Sequence, residues 1–176
     1  GNVSNAADIP SFKPSSLKTK SLADRLEFGN NFQIDKGNYA FPSTATIALQ
    51  VAYKLSSRIK PGIGVSYILG IGKGWDNINF SQQGIGLRSF VDFKISNILY
   101  IESGYERNYL PPSSHKKEFG IKNWEWREIA LTGLKLKYNI KGNLIPTMCF
   151  QYDFLHDQYN PPSPAFIYRI GWEFGK

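Results

Sequence analysis

The sequence has little of what most enzymes and metal proteins depend on. Its 176 residues include one cysteine, Cys149, and two histidines, His115 and His156. A single cysteine excludes an internal disulfide and any cluster of cysteine metal ligands. The glycine-rich stretch at residues 70–74 precedes no predicted helix, so it is not a phosphate-binding loop. We therefore expect no cofactor and no metal site.

Long hydrophobic runs are also missing. No stretch of about 18 apolar residues is present, which excludes a transmembrane helix. The mean hydropathy of −0.33 would normally indicate a soluble globular protein. A membrane-spanning β-barrel has the same average, because its strands are only half apolar. Hydropathy alone therefore leaves both classes open.

The formal net charge is +7. Such a charge serves solubility, or it attracts phosphate-bearing partners such as lipid headgroups. The lysines form no dense run and no nucleic-acid recognition motif is present, so nucleic acid is not an expected partner.

A regular alternation of apolar and polar residues runs from Gly84 to Tyr109. Successive side chains of a strand point to opposite faces, so one face here is apolar and the other is charged. Ser96 and Asn97 offer a tight turn between two arms of roughly a dozen residues. The arms exceed the usual strand of about 5–6 residues and match the roughly 9–11 that a tilted strand needs to cross a bilayer.

The same alternation recurs along the chain and predicts an eight-stranded antiparallel up-and-down transmembrane β-barrel with a filled interior, without helices. Pro146 predicts a bulge or a strand end, because proline cannot donate to the ladder. Residues 1–21 are predicted to form an extended periplasmic arm and residues 22–176 the barrel. The predicted strands span about 22–34, 44–55, 59–72, 84–95, 99–109, 126–138, 143–154 and 165–175.

The connections between these strands alternate in length. Those after the first, third, fifth and seventh strands are predicted to be long, and those after the second, fourth and sixth to be short. In an up-and-down barrel, all long loops then lie at one rim, and the short turns and both termini at the other. Outer-membrane barrels have this asymmetry, with the short turns in the periplasm.

Periodicity alone does not say which face of the barrel points outward. A soluble lipocalin-like carrier would bury the apolar face, whereas a membrane barrel turns it towards lipid. We expect the apolar face to contact lipid, and assign to it Leu26, Phe28, Leu49, Val51, Val65, Leu69, Leu87, Val91, Phe150, Tyr168, Ile170 and Trp172.

The opposite face carries nearly balanced charges, which fit an ion-pair network inside a barrel of this size. The predicted network consists of Arg25, Glu27, Lys54, Arg88, Asp92, Lys94, Glu102, Glu106, Asp153, Arg169 and Glu173. Aromatic residues gather near the strand ends, where interfacial girdles are found. They are Tyr39, Phe41, Trp75, Phe80, Tyr109, Trp124 and Trp126 on the long-loop side, and Tyr100, Tyr138, Trp172 and Phe174 on the other.

Three segments, GIGLRSFVDFKI, LYIESGYERNY and the closing YRIGWEFGK, resemble the C-terminal barrel region of outer-membrane proteins of Bacteroidota. The resemblance covers roughly residues 14–176 and carries no catalytic residue. The chain ends in Phe-Gly-Lys and departs from the terminal aromatic residue common in outer-membrane barrels. Several barrels of that lineage belong to secretion, motility or barrel-assembly complexes. By analogy of fold alone, the resemblance implies an accessory role in such a complex.

These observations predict a non-enzymatic outer-membrane anchor or accessory subunit with periplasmic termini. Its expected partners are outer-membrane lipids, lipopolysaccharide and other envelope proteins, the proteins being contacted through the N-terminal arm or the long loops. Possible lipopolysaccharide contacts are Lys73, Lys116, Lys117 and Lys122. The alternatives are a lipid-modifying enzyme that uses His115 or His156 at the rim, and a soluble lipocalin-like carrier.

Overall fold

The computed structural model describes residues 21–35, 43–72, 78–111, 123–138, 143–159 and 162–174. Eight strands account for most of these residues. They are β1 (Leu26–Asp35), β2 (Ser43–Tyr53), β3 (Ile59–Gly72), β4 (Ile78–Lys94), β5 (Leu99–Leu110), β6 (Glu125–Lys137), β7 (Leu144–Asp153) and β8 (Phe166–Phe174).

The strands form a closed barrel in which each pairs with its neighbours in chain order, and every pairing is antiparallel. β1 and β8 close the barrel, in register from Phe28 opposite Phe174 to Phe32 opposite Ile170. Closure leaves no strand edge unpaired, as a β structure in lipid requires. The predicted fold class is confirmed.

Helical structure is limited, in the described residues, to two short segments that the alternation did not predict. The one-turn helix α1 (Leu22–Arg25) precedes β1, and the Ser21 hydroxyl accepts from the Asp24 amide at its start. A 3-10 turn at His156–Gln158 lies between β7 and β8. None of the described helices has the length or the apolar character to cross a membrane. The predicted arm at 1–21 falls outside the described residues except for Ser21.

β4 is longer than predicted. It begins at Ile78 instead of near residue 84, so the predicted long loop after the third strand is wrong over residues 78–83. The pairing with β3 shifts register between Ile68 and Leu69, at the point where Gly84 has a φ of +155°. A Cβ on Gly84 would lie 2.4 Å from the Tyr109 carbonyl oxygen. A bulge at a glycine interrupts the strict alternation, which is why the pattern concealed this part of the strand.

One other local prediction holds. Ser96 forms the predicted tight turn, because its hydroxyl accepts from the amides of Ile98 and Leu99 at 3.4 and 3.2 Å. The predicted bulge or strand end at Pro146 is wrong, because Pro146 is the third residue of β7 and this strand pairs with β8 in unbroken register from Leu144 to Tyr152. Pro146 lies one residue beyond the last registered β6–β7 pair, Lys137 with Thr147, so its missing amide falls at the end of that ladder.

The barrel turns its apolar face outward. Leu49 and Phe28 are 63% and 59% exposed, and all twelve residues predicted to face lipid lie on the outer surface, with Val51 and Leu69 half-exposed. Arg88, Asp92 and Glu102 are buried inside. Soluble proteins rarely expose a continuous apolar surface of this extent. A soluble carrier would need the reverse arrangement.

Aromatic side chains mark both ends of the outer surface. Tyr109 lies between Trp124 and Trp126, with ring centroids 5.3 and 5.1 Å away. At the other end Tyr138, Trp172 and Phe174 are exposed. Tyr100, predicted to belong to this girdle, is instead buried, because it shares the inward parity of Glu102. Side-chain contacts of Tyr39, Phe41, Trp75 and Phe80 lie outside the described part of the structure.

Candidate functional site

The interior of the barrel contains a cluster of four cations and four carboxylates. Strands β4, β5, β6 and β8 supply them, because their inward-facing positions are charged where the outward-facing positions are apolar. Each member is less than a tenth exposed. We call this set the interior cluster; it consists of Arg88, Lys135, Lys137, Arg169, Asp92, Glu102, Glu106 and Glu173.

Lys135 is the centre of the interior cluster. Its Nζ lies 2.7 Å from Glu173 Oε1, 2.8 Å from Glu102 Oε2 and 3.1 Å from Asp92 Oδ2. Lys137 Nζ contacts the same Asp92 and Glu173 carboxylates at 2.8 and 2.6 Å. Each ammonium group therefore bridges at least two strands, and the carboxylates are shared between two cations.

Two guanidinium groups extend the cluster towards the long-loop rim. Arg88 pairs with Glu102, and its Nε lies 3.2 Å from Glu106 Oε1. Arg169 binds the same Glu106 with both terminal nitrogens, at 2.7 and 2.9 Å. Gln151 joins the two halves, since it donates to Glu102 at 2.8 Å and accepts from Arg169 at 3.1 Å. This connectivity satisfies charges that would otherwise be costly to bury.

Aromatic rings inside the barrel contact the cations. Phe90 lies with its ring centroid 4.8 Å from the Arg88 guanidinium carbon and 5.5 Å from Lys135 Nζ. The Tyr100 ring lies 4.5 Å from Lys137 Nζ and 5.7 Å from Lys60 Nζ. Cations at such distances are attracted to the face of the ring. The rings thus occupy space between ion pairs and also stabilise the charges.

A smaller group lies near the short-turn rim. Glu27 is shared between Lys54 Nζ at 3.0 Å and Lys60 Nζ at 2.7 Å. Beside it, Arg25 donates to the Tyr53 hydroxyl at 2.7 Å. One carboxylate between two ammonium groups leaves this group with a net positive charge, in contrast to the balanced interior cluster.

The structure brings together eight of the eleven residues predicted for the ion-pair network. Arg88, Asp92, Glu102, Glu106, Arg169 and Glu173 lie in the interior cluster, and Glu27 and Lys54 form the smaller group. Lys94 is half-buried and no described carboxylate pairs with it. Asp153 is buried but bonds the backbone amides of Leu155 and Ala130, at 2.9 and 3.2 Å.

Three cations of the network, Lys60, Lys135 and Lys137, are not among the predicted residues. Lys135 and Lys137 share the inward parity of Leu131 on β6, so the alternation contained the signal. Lys60 comes directly before Pro61 at the start of β3, and the predicted alternation of that strand covers only the residues from Gly62 onward. Lys135 contacts three carboxylates, more than any other described cation of the interior cluster, so it is the most important of the three.

The described residues offer no assembled catalytic set. His156 Nδ1 lies 2.8 Å from the Asp153 carbonyl oxygen, and its Nε2 lies 3.2 Å from Asp157 Oδ1. Ser163 bonds the backbone carbonyl of His156, at 3.4 Å, instead of its ring. Both imidazole nitrogens therefore face partners other than a nucleophile. His115 lies outside the described residues.

The predictions about metal ions and lipopolysaccharide concern different parts of the chain. Within the described ranges, no group of three or more histidine, cysteine, aspartate or glutamate residues is arranged to hold a metal ion. Lys73, Lys116, Lys117 and Lys122, predicted to contact lipopolysaccharide, lie outside the described residues.

Comparisons with known proteins give a likeness to a solved structure. No protein-family model matches the chain, and no curated protein matches it. Among solved structures, the chain is similar to the outer membrane protein Ail of Yersinia pestis, determined in a phospholipid bilayer nanodisc. The two are 13% identical with a TM-score of 0.46, over 84% of this chain and 97% of that one. A functional proposal therefore depends on the geometry of this chain itself.

Proposed function

We propose that the chain is a non-enzymatic outer-membrane β-barrel that anchors, or serves as accessory subunit of, a larger envelope complex. The observation that carries this proposal is the inverted distribution of polarity: an apolar exterior around a charge-balanced interior. Apolar side chains that face lipid do not have the free-energy cost of exposure to water. A closed barrel also satisfies its backbone hydrogen bonds within the sheet.

The filled interior favours an anchor over a channel. Inside the barrel, Lys135, Gln151 and Glu102 have no exposed surface, and Asp92 and Thr147 have almost none. Eight strands leave room for side chains only, so these residues occupy the space a conducting pore would need. Function then falls to the surfaces outside the lipid, which are the two rims and the N-terminal arm.

The orientation we propose places the short turns and both chain ends in the periplasm. β1 begins and β8 ends at the same rim, where Phe28 pairs with Phe174. An arm that leaves this rim extends into the periplasm, where other envelope proteins can be contacted. The Bacteroidota-like sequence segments support a partner in secretion, motility or barrel assembly, and the contact surfaces proposed are the arm and the long loops.

Insertion is tested by expression with an outer-membrane signal, followed by membrane fractionation and electrophoresis with and without boiling. We expect the chain in the outer-membrane fraction, with a folded band that shifts on heating. A monodisperse, water-soluble product obtained without detergent would contradict the proposal.

Anchoring is tested by affinity purification in mild detergent, with the full chain and with a matched chain lacking residues 1–20. We expect envelope proteins to co-purify with the full chain and to be lost from the truncated one while its barrel still inserts. Recovery of the barrel alone from both chains would contradict an anchoring role.

A lipid-modifying enzyme is the second candidate, because one described histidine, His156, lies near a serine and an aspartate at the long-loop rim. Alanine substitution of both histidines separates the two candidates. An unchanged lipid profile and an unchanged set of co-purified proteins support the anchor, whereas loss of a modified lipid species supports the enzyme.

A further inference from the structure

The outer surface of strands β4, β5 and β6 carries polar side chains that the rest of the barrel lacks. Among the described residues, the outward-facing side chains of β1, β2, β3, β7 and β8 are apolar or aromatic, with Asn30 as the exception. The Asn30 side chain accepts from the Trp172 amide at 3.1 Å, so it bonds the sheet itself. We call the polar residues on the outer surface of β4–β6 the polar flank; they are Ser89, Ser103, Tyr105, Arg107, Glu128 and Thr132.

Arg107 and Glu128 are the charged members of the polar flank. They lie opposite each other on β5 and β6, with Arg107 Nε 3.5 Å from Glu128 Oε1, and their side chains are 51% and 41% exposed. The pair lies two residues below Tyr109 and Trp126 of the aromatic girdle, roughly 5 Å deeper along the barrel axis. Ionic side chains on the lipid-facing surface of a barrel are unfavourable by an amount that rises with depth. A protein neighbour with matching charges would lower that cost.

The tilt of the strands determines which residues of the polar flank lie above one another. The paired residues, followed once around the barrel from Leu99, lead back to β5 at Tyr109, ten residues further along that strand. In a barrel of eight strands, such a displacement corresponds to a strand tilt of about 40°. A residue that is paired with a residue of the preceding strand therefore lies slightly nearer to the long-loop rim than its partner.

This tilt stacks two cross-strand pairs of the polar flank along the barrel axis. Ser89 pairs with Tyr105 across β4 and β5, and Arg107 pairs with Glu128 across β5 and β6. At a tilt of about 40°, Arg107 lies directly above Ser89 and Glu128 lies directly above Tyr105. We call these four residues the central strip. One of its columns contains Ser89 and Arg107, and the other contains Tyr105 and Glu128.

We propose that two copies of this chain associate in the membrane through the polar flank, about a two-fold axis that runs between the two columns of the central strip. The inference rests on the proposed insertion in the membrane. Inserted copies share one orientation, so a two-fold axis that relates them runs along the membrane normal. Rotation about this axis brings each column opposite the other column of the second copy. Arg107 then faces Glu128 of the partner subunit, and Glu128 faces the partner's Arg107.

Charge complementarity favours a second copy as the occupant of the polar flank. Residues paired across two strands differ in height by about 3 Å at this tilt, a distance that an arginine side chain spans. The two subunits together present two arginines and two glutamates, which balance one another. Ser89 faces Tyr105 of the partner subunit, so hydroxyl groups meet below the charges, as polar groups do at protein contacts within membranes. The strip contains both halves of each contact, and a surface with one sign of charge could not pair with itself.

The charged contacts are tested by exchange of sign, with the full chain in detergent micelles that contain phospholipid and its subunit number measured by native mass spectrometry. We expect a dimer for the parent chain. Arg107→Glu or Glu128→Arg leaves each flank with two charges of one sign, so each variant alone should dimerise at least about tenfold more weakly. A mixture of the two variants, carrying different tags, restores both contacts between opposite charges and should form heterodimers. Arg58→Glu in the β2–β3 turn is the matched control and should leave the dimer intact.

The position of the axis is tested by cross-linking. Cys149 is buried, and its replacement in a Cys149→Ser background leaves an introduced cysteine as the one reactive thiol of the chain. Because Ser89 lies beside the axis, Ser89→Cys should form a disulfide-linked dimer in membranes treated with copper phenanthroline as oxidant. Leu49→Cys, on the exposed outer surface of β2, is the matched control and should not.

The proposal is overturned by a monomeric parent chain, by sign-exchange variants that dimerise as the parent does, or by equal cross-linking of Ser89→Cys and Leu49→Cys. Cross-linking of Ser89→Cys to a different envelope protein, without a linked dimer, overturns the second copy as the occupant. The heat-induced band shift of each variant reports insertion separately. A normal shift without dimers refutes the dimer alone, and an absent shift in the parent chain refutes the membrane assignment on which the dimer rests.

Discussion

Replacement of Lys135 by methionine is the sharpest test of the filled interior. Methionine keeps a long apolar stem and removes only the ammonium group, which contacts Asp92, Glu102 and Glu173 within 3.1 Å. Removing one partner of a buried ion pair costs about 3–5 kcal/mol, because the remaining charge is left uncompensated. The interior cluster would change from four cations and four carboxylates to three and four.

The structure places the expected loss within that range and no higher. Glu102 keeps Arg88, and Asp92 and Glu173 keep Lys137, so no carboxylate is left without a cation. We therefore expect Lys135→Met to lower the free energy of unfolding by about 3–5 kcal/mol in total. We do not expect a loss of that size for each of the three carboxylates. Adding Glu173→Gln restores a three-to-three balance and should recover part of the loss, by about 0.5–3 kcal/mol.

The assay is equilibrium unfolding in urea with the barrel in lipid vesicles, followed by tryptophan fluorescence and by the heat-induced band shift. Lys54→Met is the matched control: Lys54 has one carboxylate partner and is partly exposed, so we expect a loss of about 1 kcal/mol or less. If Lys135→Met costs no more than Lys54→Met, the balance of charge inside the barrel is not what stabilises it.

Three further predictions concern other parts of the barrel. Leu49→Arg on the outer surface should cost about 2–4 kcal/mol of unfolding free energy in vesicles if it lies at mid-bilayer, whereas Leu55→Arg in a short turn should cost about 1 kcal/mol or less. Gly133→Ala should cost about 1–3 kcal/mol by the same assay, because its Cβ would meet a carbonyl oxygen of the adjacent strand at 2.0 Å. Gly29→Ala is the control and should cost less, because the atom nearest to its Cβ would be 3.1 Å away. Equal losses would contradict the packing argument. His156→Ala should leave the lipid profile of the host membrane unchanged, and a missing lipid species would refute the non-enzymatic assignment.

The number, order and direction of the strands could be predicted from the sequence because a barrel that separates lipid from a charged interior needs strict alternation on every strand. A slip of one residue would turn charged groups such as Arg88 and Glu102 towards lipid, so the register is fixed by the same pattern that can be read in the sequence. The alternation failed at Gly84, where a bulge breaks it, and at α1, where four residues are too few to show a helical period.

The pairing of charges could be predicted only in part. Parity says which residues share the interior, but not which strands face each other across it, so the contacts of Lys135 with β4, β5 and β8 required coordinates. Parity also cannot distinguish a charge that joins an ion pair from one that caps backbone amides. Asp153 illustrates this: it has the predicted burial but bonds the amides of Leu155 and Ala130.

Because the interior cluster is electrically balanced, the net charge of the protein comes from residues outside it. Four cations and four carboxylates contribute nothing to the net +7, so the whole excess is carried by residues outside the cluster. Charges buried in pairs are hidden from a partner, and those at the rims are not. The excess positive charge therefore belongs to residues outside the interior cluster, and in the described part of the chain these include Lys54, Arg58, Lys60 and Lys94 near the short-turn rim.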